Sequence, residues 1–248
     1  MPAAPRYLLT GASSGIGEAL AHALAAQGFD LALAARREDA LHNLAHSLRE
    51  RHGRQAVVLP LDVTDYAACK DVVGLAAHAL GGLDGIIANA GIAQGGRSGS
   101  EGQFERDKLT LETNLLGTIA CLDAACALFR EQGHGHLVAI ASVAGQRGLP
   151  RNAAYSASKA GLIRYMEALR AELHHTTLAT SLILPGYIDT PLNASLRSRP
   201  FLIPVERGAR LIARHIDRKR ALAYVPGWPW AILGRLLPLL PTALVARL

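Results

Sequence analysis

The stretch that most restricts this chain is Thr10-Gly11-Ala12-Ser13-Ser14-Gly15-Ile16-Gly17. An apolar strand, Arg6-Tyr7-Leu8-Leu9, runs straight into it, and a helix from about Gly15 to Gln27 follows, with Ala19, Leu20, Ala23 and Leu24 on its inner face. Glycines let a backbone turn tightly and approach a pyrophosphate, while the helix N-terminus offers N–H groups and positive dipole. The spacing is G-x-x-x-G-x-G, not the G-x-G-x-x-G of the usual dinucleotide fingerprint. Gly11, Ser13, Ser14, Gly15, Ile16 and Gly17 are therefore the candidate phosphate-binding residues, with the Ser14 hydroxyl able to add a donor. The plain alternative is a strand-to-helix turn without a ligand.

Strands and helices alternate from there on. Strands are expected at Phe29–Ala35, Ala56–Leu61, Gly85–Ala88, Leu137–Ala141 and Leu178–Leu184. Helices are expected over 38–51, 65–80, about 109–132 and 153–173, and residues 94–102, rich in Gly and Ser, read as a loop. That alternation predicts a parallel sheet with helices on both faces, a three-layer doubly wound α/β fold. A chain of 248 residues fits one such domain, and no internal repeat or interdomain linker interrupts it.

In such a fold the residue closing the second strand meets the adenosine ribose, where an acid binds the 2′-hydroxyl of NAD. Here the strand ends Ala34-Ala35-Arg36-Arg37, with no carboxylate before Glu38. A guanidinium suits a 2′-phosphate, so Arg36 and Arg37 predict NADP(H) over NAD(H). Two exposed arginines at a helix start are the alternative. Asp62, beside Val63 past the third strand, either accepts from an adenine amino group or caps the next helix. Asn89-Ala90-Gly91 follows the fourth strand. Gly91 lets the chain pass near a cofactor, and Asn89 is placed to tie neighbouring strand ends.

Tyr155 and Lys159 lie four apart in an Ala-rich helical stretch, so phenol and ammonium share one face. A nearby cation lowers a Tyr pKa from its usual ~10 and makes it a proton donor and acceptor near neutrality. Ser142 stands at the end of the 137–141 strand, where such folds place reacting groups. Asn114 falls inside a helix, a position Asn disfavours unless something uses it.

Taken together, the 10–17 turn, Asn89-Ala90-Gly91, Asn114, Ser142, Tyr155-x-x-x-Lys159 and Pro185-Gly186 resemble the short-chain dehydrogenase/reductases in order and spacing, over about residues 6–225. The resemblance implies a Rossmann-type sheet of seven strands in order 3-2-1-4-5-6-7 and NAD(P)-dependent oxidoreduction of an alcohol or carbonyl. By resemblance, Ser142 steadies the substrate oxygen, Tyr155 exchanges its proton, and Lys159 lowers the Tyr155 pKa and bonds the nicotinamide ribose. Asn114 would hold a water leading from Lys159, housed by a kink or opened hydrogen bond. Pro185, Gly186, Ile188 and Thr190 would meet the nicotinamide end. Ala88 replaces the second Asn that many members carry before Asn89. Residues 186–204 would form the substrate loop, with Pro200–Pro204 as its mobile apolar part. A homodimer or homotetramer through the helices at about 109–132 and 153–173 is also implied.

The C-terminal stretch 226–248 is least typical: apolar, proline-broken, with both tryptophans and with Arg235 and Arg247 as its only charges. It packs on its own domain or a partner subunit, or covers the substrate as a lid, or lies on a membrane surface. With the 200–204 segment it suggests a hydrophobic carbonyl or alcohol substrate. No run of ~18 residues is free of polar breaks, so no spanning helix is expected. Met1–Thr10 lacks a signal layout, and Cys69, Cys121 and Cys126 lack metal or disulfide spacing, which together suit a cytoplasmic protein. The net charge of +6 is scattered, which disfavours a nucleic-acid partner. Two rivals remain: an NAD-dependent alcohol dehydrogenase, opposed by Arg36 and Arg37, and a non-catalytic NADP(H)-binding redox sensor, opposed by Ser142 and Tyr155.

Overall fold

In the computed structural model, residues 4–196 and 198–246 are described. The expectations touching residues 1–3, Arg197 of the substrate loop, and Arg247 and Leu248 lie outside the described residues. Strands β1 (Arg6–Thr10), β2 (Asp30–Ala35), β3 (Ala56–Pro60), β4 (Gly85–Ala88), β5 (Gly135–Ile140), β6 (Leu178–Pro185) and β7 (Leu222–Val225) form one sheet. It is parallel throughout, in order β3-β2-β1-β4-β5-β6-β7. The helices are α1 (Gly15–Ala25), α2 (Glu38–His52), α3 (Tyr66–Leu80), α4 (Gln103–Leu111), α5 (Thr118–Gln132), α6 (Ala153–Glu172), α7 (Val205–Asp217), α8 (Gly227–Leu236) and α9 (Thr242–Val245).

Successive strand residues point to opposite faces, and because both faces are covered the strands are predominantly apolar. Leu8, Ile86 and Leu137 join Phe129, Leu162 and Met166 in one core. Their neighbours Leu9, Ile87 and Val138 join Leu20, Leu24, Leu41 and Ile212 in the other. The doubly wound prediction and its strand order therefore hold, and the sheet's carboxyl ends open onto one rim.

Some boundaries differ. α4 begins at Gln103, six residues before the expected start, because its first turns are polar and carry no apolar periodicity. Gln103 is buried and donates to Asp107 Oδ1 at 2.7 Å, which holds that turn without an apolar stripe. Between α4 and α5 the backbone widens into a π-helical turn, Glu112–Gly117, centred on Asn114. The expected opening in the helix is present there. The whole 103–132 rod, with mean hydropathy 1.3 in its most apolar window, is long and apolar enough to span a bilayer by composition alone. Its packing against α3, α6, β4 and β5 makes it a layer of the core instead. Helix α7 had no counterpart among the expected elements, although Ala209, Ile212, Ala213 and Ile216 sit at helical spacing on its buried side.

The substrate loop is pinned at both ends. Ile203 N donates to Tyr187 O at 3.1 Å and Asp189 N to Ile203 O at 2.9 Å. Ile203, inside the apolar part expected at Pro200–Pro204, is buried. The C-terminal extension packs on its own domain, with α8 lying along β7 and Trp230 and Val245 buried.

A second polar feature crosses the far end of the sheet. Tyr7 Oη and His136 Nδ1 are 2.9 Å apart, and His136 Nε2 is 2.8 Å from Ser181 Oγ. All three side chains are buried, and loss of water lowers the His136 pKa to about 3.

Candidate active site

The strand ends surround a cavity of about 560 Å³. Its outer wall is the glycine turn. A Cβ at Gly17 would stand 2.1 Å from Gly11 O, and Gly11 itself has φ +66 with Ala90 pressed against it. Only bare backbone fits between the turn and β4. Asn89 fixes this contact: Nδ2 donates to Thr10 O at 3.0 Å and to Gly11 O at 3.2 Å, and its N–H donates to Thr10 Oγ1 at 3.0 Å. Gly11, Ser13, Ser14, Gly15, Ile16, Gly17, Asn89, Ala90 and Gly91 all line the cavity. Ser14 precedes α1, and its hydroxyl makes no capping bond. The cradle has the steric and donor character a dinucleotide pyrophosphate requires.

At the next corner Arg36, Arg37, Asp62 and Val63 line the same cavity. Arg37 Nη2 donates to Ser13 O at 3.0 Å and to Ser13 Oγ at 3.2 Å, so its guanidinium is held over the turn. Arg36 Nη1 stands 3.8 Å from Asp62 Oδ2, both side chains being largely exposed. Asp62 accepts from Thr64 N at 3.0 Å and Thr64 Oγ1 at 2.9 Å. The cap of α3 is Asp65, which accepts from Ala68 N at 3.1 Å. Asp62 thus remains on the cavity wall and is not the helix cap.

The inner end holds Tyr155, Lys159 and Thr190 on the wall. Ser142 and Asn114 stand behind them and are buried. Ser142 follows β5 and accepts from Ala144 N at 3.1 Å, which opens a short 3₁₀ turn. Asn114 uses its whole amide: Oδ1 accepts from Ile92 N at 2.8 Å, while Nδ2 donates to Ile92 O at 2.8 Å and to Ser158 Oγ at 3.3 Å. A Cβ on Gly91 would sit 3.3 Å from Asn114 Oδ1 and 3.6 Å from Lys159 Nζ. The π-helical turn therefore brings Asn114 beside the ammonium and locks the loop after β4.

Lys159 Nζ donates to Ile140 O at 3.0 Å and lies 5.9 Å from the centre of the Tyr155 ring. Burial lowers its pKa to about 8. The expected lowering of Tyr155 by Lys159 is not what this geometry gives. Burial pushes the Tyr155 phenol up, the Ser142 hydroxyl draws it down, and Tyr187 adds a smaller rise.

Three residues expected to meet the cofactor are not on the cavity wall. Pro185, Gly186 and Ile188 do not line the cavity. A Cβ at Gly186 would be 2.1 Å from Trp230 Nε1, so the indole of the C-terminal extension covers it. Ile188 is buried in a bridge with Ile203. Conversely Thr113, Gln94 and Leu192 reach the wall without having been singled out. Thr113 was traceable as the neighbour of Asn114, and Leu192 as two residues past Thr190. Tyr187 was visible within Pro185-Gly186-Tyr187, and it packs edge-on against Trp230 at 5.9 Å.

With this geometry in view, the chain's relatives are informative. Residues 6–200 match the family model described as short chain dehydrogenase, and the chain belongs to that family of oxidoreductases. An uncharacterised oxidoreductase of Mycobacterium tuberculosis is 41% identical over 244 residues, covering 98% of this chain and 96% of the relative. The 11-beta-hydroxysteroid dehydrogenase 1A of Arabidopsis thaliana is 34% identical over 242 residues, covering 89% of this chain and 68% of its own. Among solved structures, an alcohol dehydrogenase from Thermococcus sibiricus complexed with 5-hydroxy-NADP superposes with TM-score 0.77 at 27% identity, covering 88% of this chain and 94% of that one. A variant actinorhodin polyketide ketoreductase with NADPH gives TM-score 0.81 at 28% identity, covering 95% and 97%.

Proposed function

We propose that this oxidoreductase uses NADP(H) and moves hydride between the nicotinamide and a carbonyl or secondary alcohol of an apolar small molecule. The observation that carries the reading is a single cavity with Arg36, Arg37 and the glycine cradle at one end and Tyr155 and Lys159 at the other. Gly11 to Gly17 would hold the pyrophosphate, Arg36, Arg37 and Ser13 the 2′-phosphate, and Asp62 and Val63 the adenine. Lys159 and Thr190 would meet the nicotinamide ribose and carboxamide. When bound, the nicotinamide supplies or accepts the hydride. Tyr155 gives its proton to the substrate oxygen in reduction and takes it back in oxidation, and Ser142 donates a hydrogen bond to the same oxygen. Lys159, with a pKa near 8, exchanges protons close to working pH and passes them toward the Asn114 turn. The NADPH and 5-hydroxy-NADP bound by the two solved relatives support the cofactor assignment.

Tyr187, Trp230 and Phe201 form an aromatic group beside the inner end, which favours an apolar substrate. Self-association into a dimer or tetramer belongs to the same reading: Phe104, Leu109 and Leu116 are exposed along the 103–132 rod. So does a cytoplasmic setting, with Cys69, Cys121 and Cys126 as free thiols.

Titrating NADPH and NADH separately against the protein, followed by nicotinamide fluorescence, tests the cofactor assignment. NADPH is expected to bind at least tenfold tighter, about 1.4 kcal/mol. Equal or tighter binding of NADH overturns the reading of Arg36 and Arg37 and makes alcohol oxidation with NAD the first assay.

A further inference from the structure

The C-terminal extension buries one side and leaves the other bare. Trp230, Gly234 and Val245 face the core, yet Trp228 and Leu239 are 77% and 75% exposed, and Ile232, Leu236 and Leu244 about half exposed. Arg235 is the sole charge on α8, whose sequence is apolar all round. A helix of that kind is stable when both of its faces are out of water. The bare side also continues beyond α8. Phe201 of the substrate loop, itself 54% exposed, meets Trp230 edge-on at 6.0 Å, and Trp230 in turn meets Tyr187. Apolar contacts therefore run from the extension through the buried Trp230 to Phe201 and Tyr187 of the substrate loop. Contiguous exposed apolar patches on a soluble domain mark contact sites.

The charge around this surface selects the occupant. Residues 226–248 contain no Asp or Glu, and neither do residues 132–166. Arg147, from that second stretch, donates to Leu240 O at 3.2 Å and so stands at the edge of the extension. Arg235 donates to Ala231 O and lies over the Tyr224 ring at 5.2 Å. Among the described residues neither arginine has a salt-bridge partner. A second copy docked through the same face would bring Arg147 and Arg235 against their own counterparts. An anionic lipid surface accepts both components, the apolar side chains at the acyl boundary and the guanidiniums among the headgroups.

We propose that the face carrying Trp228, Ile232, Leu236 and Leu239, rimmed by Arg147 and Arg235, docks on an anionic lipid surface. Docking there sets the substrate loop at the lipid boundary, where an apolar substrate concentrates. The surface stands independently of the reaction assigned above, because vesicle binding is read without turnover.

The test is co-sedimentation of the full chain with sucrose-loaded vesicles of phosphatidylcholine, with and without phosphatidylglycerol, alongside tryptophan emission. The protein is expected to pellet with the phosphatidylglycerol vesicles and to be released by salt. Trp228 emission should shift to the blue, since Trp230 is already buried. The double variant Trp228→Ser, Leu239→Ser should bind at least tenfold more weakly while keeping its Tm, because both side chains are exposed. Trp228→Phe should still pellet but lose the blue shift, which separates docking from misfolding. Failure to pellet, or pelleting that the double variant leaves unchanged, overturns the proposal. So does a vesicle-free dimer in sedimentation velocity that the double variant dissociates, which would assign the face to a second copy.

Discussion

The glycine turn and the C-terminal extension are both in contact with the catalytic region, and they are specified by opposite means. In the turn, space decides: a Cβ on Gly17 would overlap Gly11 O, and the Asn89 amide fastens the same carbonyl. Almost no other residue is compatible with that backbone. In the extension, water decides: Trp230 is chosen by the core beneath it, while Trp228, two residues earlier, meets nothing in the described chain that requires an indole. A steric contact fixes one residue type. An apolar surface fixes only a chemical character, and needs an outside partner to explain it.

The largest test of this contrast is Trp230→Ala. Removing a buried aromatic costs about 3–5 kcal/mol, and here it also uncovers Gly186 and leaves Tyr187 and Phe201 without their shared partner. Urea unfolding should show that loss; a cost below about 1 kcal/mol would mean that the extension merely rests on the domain. Gly17→Ala comes next. Overpacking against backbone costs about 1–3 kcal/mol, and NADPH affinity should fall more than stability does, because the displaced atoms are those facing the pyrophosphate. Normal NADPH binding by Gly17→Ala would remove the steric half of the comparison.

Which parts were legible from sequence follows the same division. The turn, the Tyr155–Lys159 pair, Ser142 and Asn114 were readable because each depends on local spacing, on one helix face or one strand end. The alternation gave the sheet for the same reason. What escaped depends on distant contacts. Trp230, 44 positions after Gly186, packs against that glycine, and Ile203 bridges Ile188, contacts that no local spacing announces. The start of α4 was hidden because polar pairing of Gln103 with Asp107 holds it. The rise in the Tyr155 pKa was hidden too, since burial is a property of the packed site. Helix α7, with its regular apolar spacing, could have been read.

At the far end of the sheet, His136 offers a third case, a polar group specified by burial. Its folded pKa lies near 3 against 6.5 for the free side chain, with Lys219 adding to the effect of lost water. The unfolded chain therefore binds the extra proton between those values. Stability should be complete above pH 6.5 and fall toward pH 3, at up to about 1.4 kcal/mol per pH unit from this residue. His136→Gln should flatten that part of the profile in urea titrations at several pH values; an unchanged slope would assign acid sensitivity to the carboxylates. The smallest effect is expected from Trp228→Ser, within about 0.5 kcal/mol of the parent, measured by thermal unfolding. A larger loss would show that Trp228 has a packing role within the chain and would narrow the gap between the two regions.

The most direct measurement of the central assignment is turnover by Tyr155→Phe, followed as NADPH absorbance with apolar ketones that the parent protein reduces. The variant keeps the ring and loses only the hydroxyl that exchanges the proton. NADPH should bind within about threefold of the parent, a difference under 1 kcal/mol, while reduction falls by about a thousandfold or more, 4 kcal/mol on the barrier. Reduction that persists above a few per cent of the parent rate, with NADPH still bound, would show that Tyr155 is not the proton donor.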